Sequence, residues 1–218
     1  MSVIDRIEVF TQNSIRIKGG GKIIYIDPFK MIETPRNADF VLITHEHFDH
    51  FSPEDIKKVS GTETVLIVPE SMKEKAGEVR NIVSEIRTVS PGTHSVIDGL
   101  EITAIPAYNA GKPFHPESSK WVGYILDIEG EKVYIAGDTD AIEEAASVKC
   151  DVAMVPIGGR FTMNAEEAAS LINRMRPKYA VPTHYGENVG TGEKPEVFAG
   201  LVEPPVEVRI SEKFHCSL

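Results

Sequence analysis

The chain has 218 residues, enough for one sizeable core and too few for two ordinary domains, so a single domain over residues 1–218 is expected. Hydrophobic residues make up 41% and charged ones 26%, and 23 basic against 33 acidic side chains leave a formal charge of −10. That balance argues against a general nucleic-acid binder, and no run of about 18 apolar residues exists to cross a membrane. Charges at Asp5, Arg6 and Glu8 fall where a signal peptide needs its apolar stretch, so a cytoplasmic location is expected. Two cysteines, Cys150 and Cys216, cannot build a disulfide framework and read as reduced thiols.

In chain order, Ser14–Lys18 and Lys22–Ile26 flank Gly19-Gly20-Gly21, a hairpin pattern, and Asp27-Pro28 ends the second strand. Phe40–Ile43 reads as a short buried strand running into Thr44-His45. Ser52-Pro53-Glu54-Asp55 opens a helix, with a serine cap, proline at the first position and acids in the first turn. A strand over Thr64–Val68 precedes a helix over Glu70–Ala76. Strands follow at Gly99–Ile105, Trp121–Ile128 and Lys132–Ala136, then a helix over Asp140–Val148 and a strand over Val152–Val155. Asn164 and Glu167 have capping-box spacing ahead of the apolar face Ala168, Leu171, Ile172 and Met175. Tyr179–Pro182 and Val206–Ile210 complete the strands, giving one mixed α/β domain.

The segment His45-Glu46-His47-Phe48-Asp49-His50 concentrates four potential metal ligands in six residues. Imidazole with carboxylate and no cysteine suits zinc, manganese, iron or nickel. The spacing does not fit a helical zincin, which needs histidines four apart on one helix face. The cluster instead follows a strand end, and an open catalytic site takes only about three protein ligands per metal, so this many candidates favour two metals. Further ligands are expected at other strand ends: Asp138, where Gly137 lets the backbone turn inward, and His184 after the strand ending at Pro182.

The ordered set His45-x-His47-x-Asp49-His50, Gly137-Asp138 and His184 resembles the metallo-β-lactamase superfamily. It is most similar to the ascorbate-phosphate-lactonase-like branch, whose later motifs resemble Pro156–Ala168 and Val181–Gly186. The likeness runs from about Ile15 to Gly186. It implies a four-layer αββα sandwich with metals at one edge between the sheets, His45 and His47 on one metal, Asp49, His50 and His184 on the other, and Asp138 bridging. Many members carry a third histidine for the first metal where Asn109 stands here. His115, six residues on, is the expected substitute, the rival being a weakly held metal with Asn109 or water in that place.

The expected activity is metal-dependent hydrolysis by a metal-activated hydroxide on a small anionic or phosphorylated ester or lactone, or a phosphodiester, with His45, His47 and Asp49 central to the chemistry. Asp27, Glu46 and Thr44 are candidates to orient the imidazoles. Asn109, Lys112, Arg160 and Tyr185 are candidates to bind substrate, the two cations by meeting an anionic group. Tyr108, Phe114, Trp121 and Phe161 are candidate pocket walls, while His94 and His215 read as surface residues. Homo-oligomers are compatible with the sequence. Alternatives are a PHP-type barrel phosphoesterase, an iron-dependent redox enzyme on the same fold, and a non-catalytic binding protein retaining it.

Overall fold

A computed structural model describes residues 2–186, 192 and 194–211. His215 and Cys216 lie outside the described residues.

The chain forms two sheets. The first contains β1 (Ile7–Val9), β2 (Ile15–Gly19), β3 (Lys22–Ile26), β4 (Ala38–Leu42), β5 (Ser60–Pro69) and β6 (Glu85–Val89), side by side in sequence order. The second contains β7 (His94–Ile97), β8 (Leu100–Pro106), β9 (Val122–Ile128), β10 (Glu131–Ile135), β11 (Val152–Pro156), β12 (Tyr179–Thr183) and β13 (Glu207–Val208). The first sheet is parallel from β3 to β6, and the second from β10 to β13. Because β9 runs antiparallel to both β8 and β10, β8 points the same way as β10.

Alternating side chains divide each sheet into two covered faces. Ile15, Ile17, Ile24, Ile26, Phe40 and Leu42 meet Ile102, Val122, Tyr124, Leu126, Val133 and Met154 in a shared core between the sheets. The intervening residues Tyr25, Val41, Leu66 and Val68 pack outward against α1 (Pro53–Val59) and α2 (Lys73–Ala76). Tyr134, Ala153, Val155 and Ala180 do the same against α3 (Glu143–Ala146), α4 (Ala165–Met175) and α5 (Pro195–Leu201). The four layers are therefore α, β, β and α, as expected. Two stacked sheets also dispose of the barrel alternative.

Local chemistry fixes the helix starts. Ser52 Oγ accepts from the Asp55 N–H ahead of α1, with Pro53 at its first position. At α4, Asn164 Oδ1 accepts from the Glu167 N–H while Glu167 returns a bond to the Asn164 N–H, a complete capping box. The helix expected over Asp140–Val148 is shorter, because Asp140 is drawn away. Its carboxylate accepts from Ala110 N–H, Lys112 Nζ and Asn109 Nδ2. The strands β1, β6 and β7 and the helix α5 lay outside the sequence reading, as short or half-exposed segments without a clear period.

Candidate metal centre

Strand ends aimed the same way make the site. Asp27 follows β3, the cluster from His45 follows β4, the Asn109–His115 loop follows β8, Asp138 follows β10 and His184 follows β12. Sheet edges of this kind gather side chains from many loops in the crevice beyond the strand ends. The two sheets are joined there: Tyr124 Oη donates to Ile43 O over 2.6 Å, and Val122 N–H to Thr44 O over 3.2 Å.

Seven side chains converge. The ligand atoms of His45, His47 and His115 lie within 4.8 Å of one another, as do those of His45, His50 and Asp138, and of Asp49, His50 and His184. His45 Nε2 is 3.0 Å from His47 Nδ1, and His50 Nε2 is 3.2 Å from His184 Nε2. Asp138 sits between the groups, with carboxylate oxygens 3.3 Å from His115 Nε2, 3.4 Å from His50 Nε2 and 3.3 Å from His184 Nε2. Asp49 Oδ2 is 3.3 Å from His184 Nε2. All of these except His47 and Asp49 are buried.

The buried hub beneath them is Asp27. Its carboxylate accepts from Asn13 Nδ2, Thr44 N–H, Thr44 Oγ1 and His50 Nδ1, at 2.7–2.8 Å. His50 Nδ1 is thus held as the donor to Asp27, and Nε2 is turned to the centre, where it would serve as a ligand on giving up its proton to a metal. Thr44 Oγ1 gives its own proton to Asp27 and so accepts from His45 Nδ1 at 3.0 Å, which fixes His45 the same way. Asp27 holds a left-handed backbone (φ 44°), a conformation aspartate tolerates better than most residues.

His115 is positioned by Asn109. Asn109 Nδ2 donates to Phe161 O and Asp140 Oδ1, so its Oδ1 faces His115 and accepts from both the backbone N–H and Nδ1. Both amide groups of Asn109 thus bind the protein rather than a substrate. Trp121 lies 5.0 and 4.9 Å from the His45 and His47 rings, a platform behind the imidazoles.

The electrostatics are those of a site prepared for cations. Burial, reinforced by His50, holds His45 well below the usual histidine range, and burial with His115 lowers His47. Burial alone would raise Asp138, yet His184 and His50 hold it well below the usual carboxylate range; Asp49 is lowered on the same pattern, chiefly by His50. Against its own burial, His50 is raised by Asp138, Asp49 and Asp27. Among the described residues, His115 Nε2 and Asp138 Oδ1 find no hydrogen-bond partner although they are buried. Such orphaned atoms are costly unless something else binds them. Converging imidazole nitrogens with an ionised carboxylate between them fit divalent metal.

The remaining expected residues fall elsewhere. Glu46 is exposed and orients no imidazole. Lys112 Nζ binds Asp140 Oδ1 at 2.6 Å and Thr162 O at 2.8 Å. Arg160 is exposed over the Phe161 ring, and Tyr185 packs into the α4 face of the core. His94 is on the surface, as expected. A cleft of about 520 Å³ opens onto His47, Asp49, His115, Asp138 and His184, and its other walls are Gln12, Phe29, Lys30, Phe48, Phe114 and Phe161. Of the anticipated substrate contacts none lines it; of the anticipated walls only Phe114 and Phe161 do. Gln12, Phe29 and Phe48 escaped the sequence reading because only their loops' packing brings them to the cleft.

Residues 6–184 match the β-lactamase superfamily domain. A UPF0173 metal-dependent hydrolase of Thermococcus kodakarensis is 33% identical over 205 residues, covering 88% of this chain and 89% of that protein. A UPF0173 metal-dependent hydrolase of Methanopyrus kandleri is 31% identical, covering 95% and 96%. A crystal structure of a Parabacteroides distasonis protein superposes with a TM-score of 0.81 at 29% identity, covering 96% of this chain and 93% of that one. The chain belongs to the metallo-β-lactamase superfamily and, within it, to the UPF0173 metal-dependent hydrolases.

Proposed function

We propose that the chain is a two-metal hydrolase of small esters, lactones or phosphodiesters. The observation that carries this reading is Asp138, whose ionised carboxylate lies within 3.4 Å of His50, His115 and His184 and so touches both halves of the histidine cluster. His45, His47 and His115 would hold one ion, Asp49, His50 and His184 the other, and Asp138 would be shared. Zinc or manganese suits the donor set best, and iron or nickel also fits it. Divalent ions held there supply a Lewis acid and bring the pKa of bound water towards neutrality.

The chain's own groups do the rest. Asp27 and Thr44 keep protons on the Nδ1 atoms of His50 and His45, and Asn109 keeps one on His115 Nδ1, so three Nε2 atoms face inward as the ligand positions. Asp49, ionised and on the cleft wall, orients the attacking water. The phenylalanine walls make the cleft apolar beside the ligands, which strengthens each of these electrostatic contacts. The motifs at Pro156–Ala168 and Val181–Gly186 support a finer placement near the ascorbate-phosphate-lactonase branch. A preference for anionic substrates has less support, since Lys112 and Arg160 lie off the cleft.

The test is elemental analysis of purified protein together with hydrolysis of bis-4-nitrophenyl phosphate and a lactone panel. We expect up to two metal equivalents and turnover, both lost in Asp138→Asn. Protein that takes up no metal and turns over nothing would sink the reading. Unchanged metal content and rate in His115→Ala would overturn the assignment of the first ion's third ligand.

A further inference from the structure

We infer that the cleft selects a small molecule with an apolar, aryl-sized body, gripped by two pairs of phenylalanines, and with one polar group held by Gln12. The inference rests on the hydrolase reading only for what happens to the molecule once bound.

The aromatic walls come in pairs, one from each sheet. Phe29 and Phe48, from the loops after β3 and β4, meet edge to face with centroids 6.0 Å apart. Phe114 and Phe161, from the loops after β8 and β11, do the same at 4.8 Å. Edge-to-face contact holds each ring in a fixed orientation, and together the pairs present aromatic surface to the cleft. Phe48 is 78% exposed and Phe114 36%, large apolar surfaces left in water beside the metal ligands. Exposed apolar surface rimming a cleft marks a binding site rather than a random surface residue. A volume of about 520 Å³ is the size that takes a small organic ligand.

Charge on the walls points the same way. Outside the metal cluster the only charged residue lining the cleft, among the described residues, is Lys30, whose Nζ lies 5.7 Å from the Phe29 ring centre. Among the described residues no arginine lines it, so they offer no bidentate fork for a phosphate. The polar contact is Gln12. Its Oε1 is buried without a hydrogen-bond partner among the described residues although Gln12 lines the cleft, and its backbone has φ 50°, a left-handed conformation costly for glutamine. The Gln12 carbonyl accepts from the His184 N–H at 2.9 Å, tying this residue to the metal centre. Oε1 is an acceptor, so it selects a ligand N–H or O–H.

The probes are 2-phenylacetamide, acetamide, ethylbenzene and glucose 6-phosphate, with dissociation constants measured by NMR titration on the full-length, metal-loaded protein. 2-Phenylacetamide should bind at least about tenfold more tightly than acetamide. Phe48→Ala and Phe114→Ala should weaken it about tenfold while metal content stays constant. Gln12→Gly should weaken 2-phenylacetamide about fivefold and leave ethylbenzene unchanged, while raising the thermal midpoint because glycine relieves the left-handed strain. Tighter binding of glucose 6-phosphate than of 2-phenylacetamide, or phenylalanine variants without effect, would overturn the inference. Probe binding without turnover of any ester in any metal-loaded form would defeat the hydrolase reading alone. Ester turnover with kcat/KM indifferent to the phenylalanines would defeat the aromatic grip alone.

Discussion

The two sheets contribute to the metal centre in opposite styles. The first delivers His45, His47, Asp49 and His50 from a single loop after β4, all within six residues. The second delivers His115, Asp138 and His184 from three loops spread over some seventy residues. The compact half is anchored locally, by Asp27 and Thr44 one strand away. The dispersed half is anchored by sheet register, by Asn109 for His115 and by the backbone of Gln12 for His184. Damage to the first half should therefore act on folding and metal together, whereas damage to the second should act one ligand at a time.

Removing the hub of the compact half breaks this comparison most severely. Asp27→Ala strips the acceptor from four buried donors, His50 among them, and should cost about 3–5 kcal/mol, the range for breaking a buried charged pair. Urea unfolding of the metal-free protein measures this. A loss below about 1 kcal/mol would mean that water replaces the carboxylate and that the hub is not structural.

In the dispersed half, Asn109→Ala should leave the fold largely intact and release His115. Loss of an orienting partner typically lowers metal affinity about 10–100-fold, read by chelator competition. Nitrogen-15 NMR of the imidazoles should show His115 no longer held with its proton on Nδ1, with His50 unchanged. Equal disturbance of both histidines would show that the two halves are not independent.

The halves touch at Gly137, which tests how far that independence extends. A Cβ there would lie 3.0 Å from Thr44 Cβ, and the backbone has φ 65°. Gly137→Ala should cost about 1–2 kcal/mol for the left-handed conformation alone. By pushing on Thr44 it should weaken metal binding through His45 as well as through Asp138. Thermal unfolding with and without added zinc separates the two effects.

The same asymmetry explains what could be read from the sequence. The compact ligand set, the strand ends that carry Asp138 and His184, the α1 cap and the α4 capping box are local patterns, and local patterns survive in one dimension. Asp27 was legible as a candidate to orient an imidazole as well as a turn residue before Pro28, but not as the shared hub, because its four donors come from residues 13 to 50 and meet it only through the pairing of β2, β3 and β4. Asn109 occupied a ligand's expected place, and its role in orienting His115 depends on a loop fold that spacing does not encode. Lys112 and Arg160 looked like substrate contacts because charge near a strand end is ambiguous until its partners are known. Phe114 and Phe161 were legible as candidate walls, but Phe29 and Phe48 carried no period or motif, and only the stacking of the two sheets brings the two pairs together.

The smallest expected effect concerns those two cations, and it sharpens the division between scaffold and cleft wall. Lys112 bridges Asp140 and the Thr162 carbonyl at the base of the Asn109–His115 loop, and Arg160 lies over Phe161 at the surface. Lys112→Met should lose about 1 kcal/mol, as for a partly buried hydrogen-bonded pair, and Arg160→Met about 0.5 kcal/mol or less. Neither should alter the ratio of kcat/KM between a neutral aryl ester and its carboxylate-bearing analogue, because neither side chain lines the cleft. Lys30→Met should alter that ratio, since Lys30 is, among the described residues, the cation on the wall outside the metal cluster. If Lys112→Met or Arg160→Met shifts charge preference as strongly as Lys30→Met, the loop between Asn109 and His115 closes over bound substrate, and the dispersed half of the site takes part in recognition as well as in holding metal.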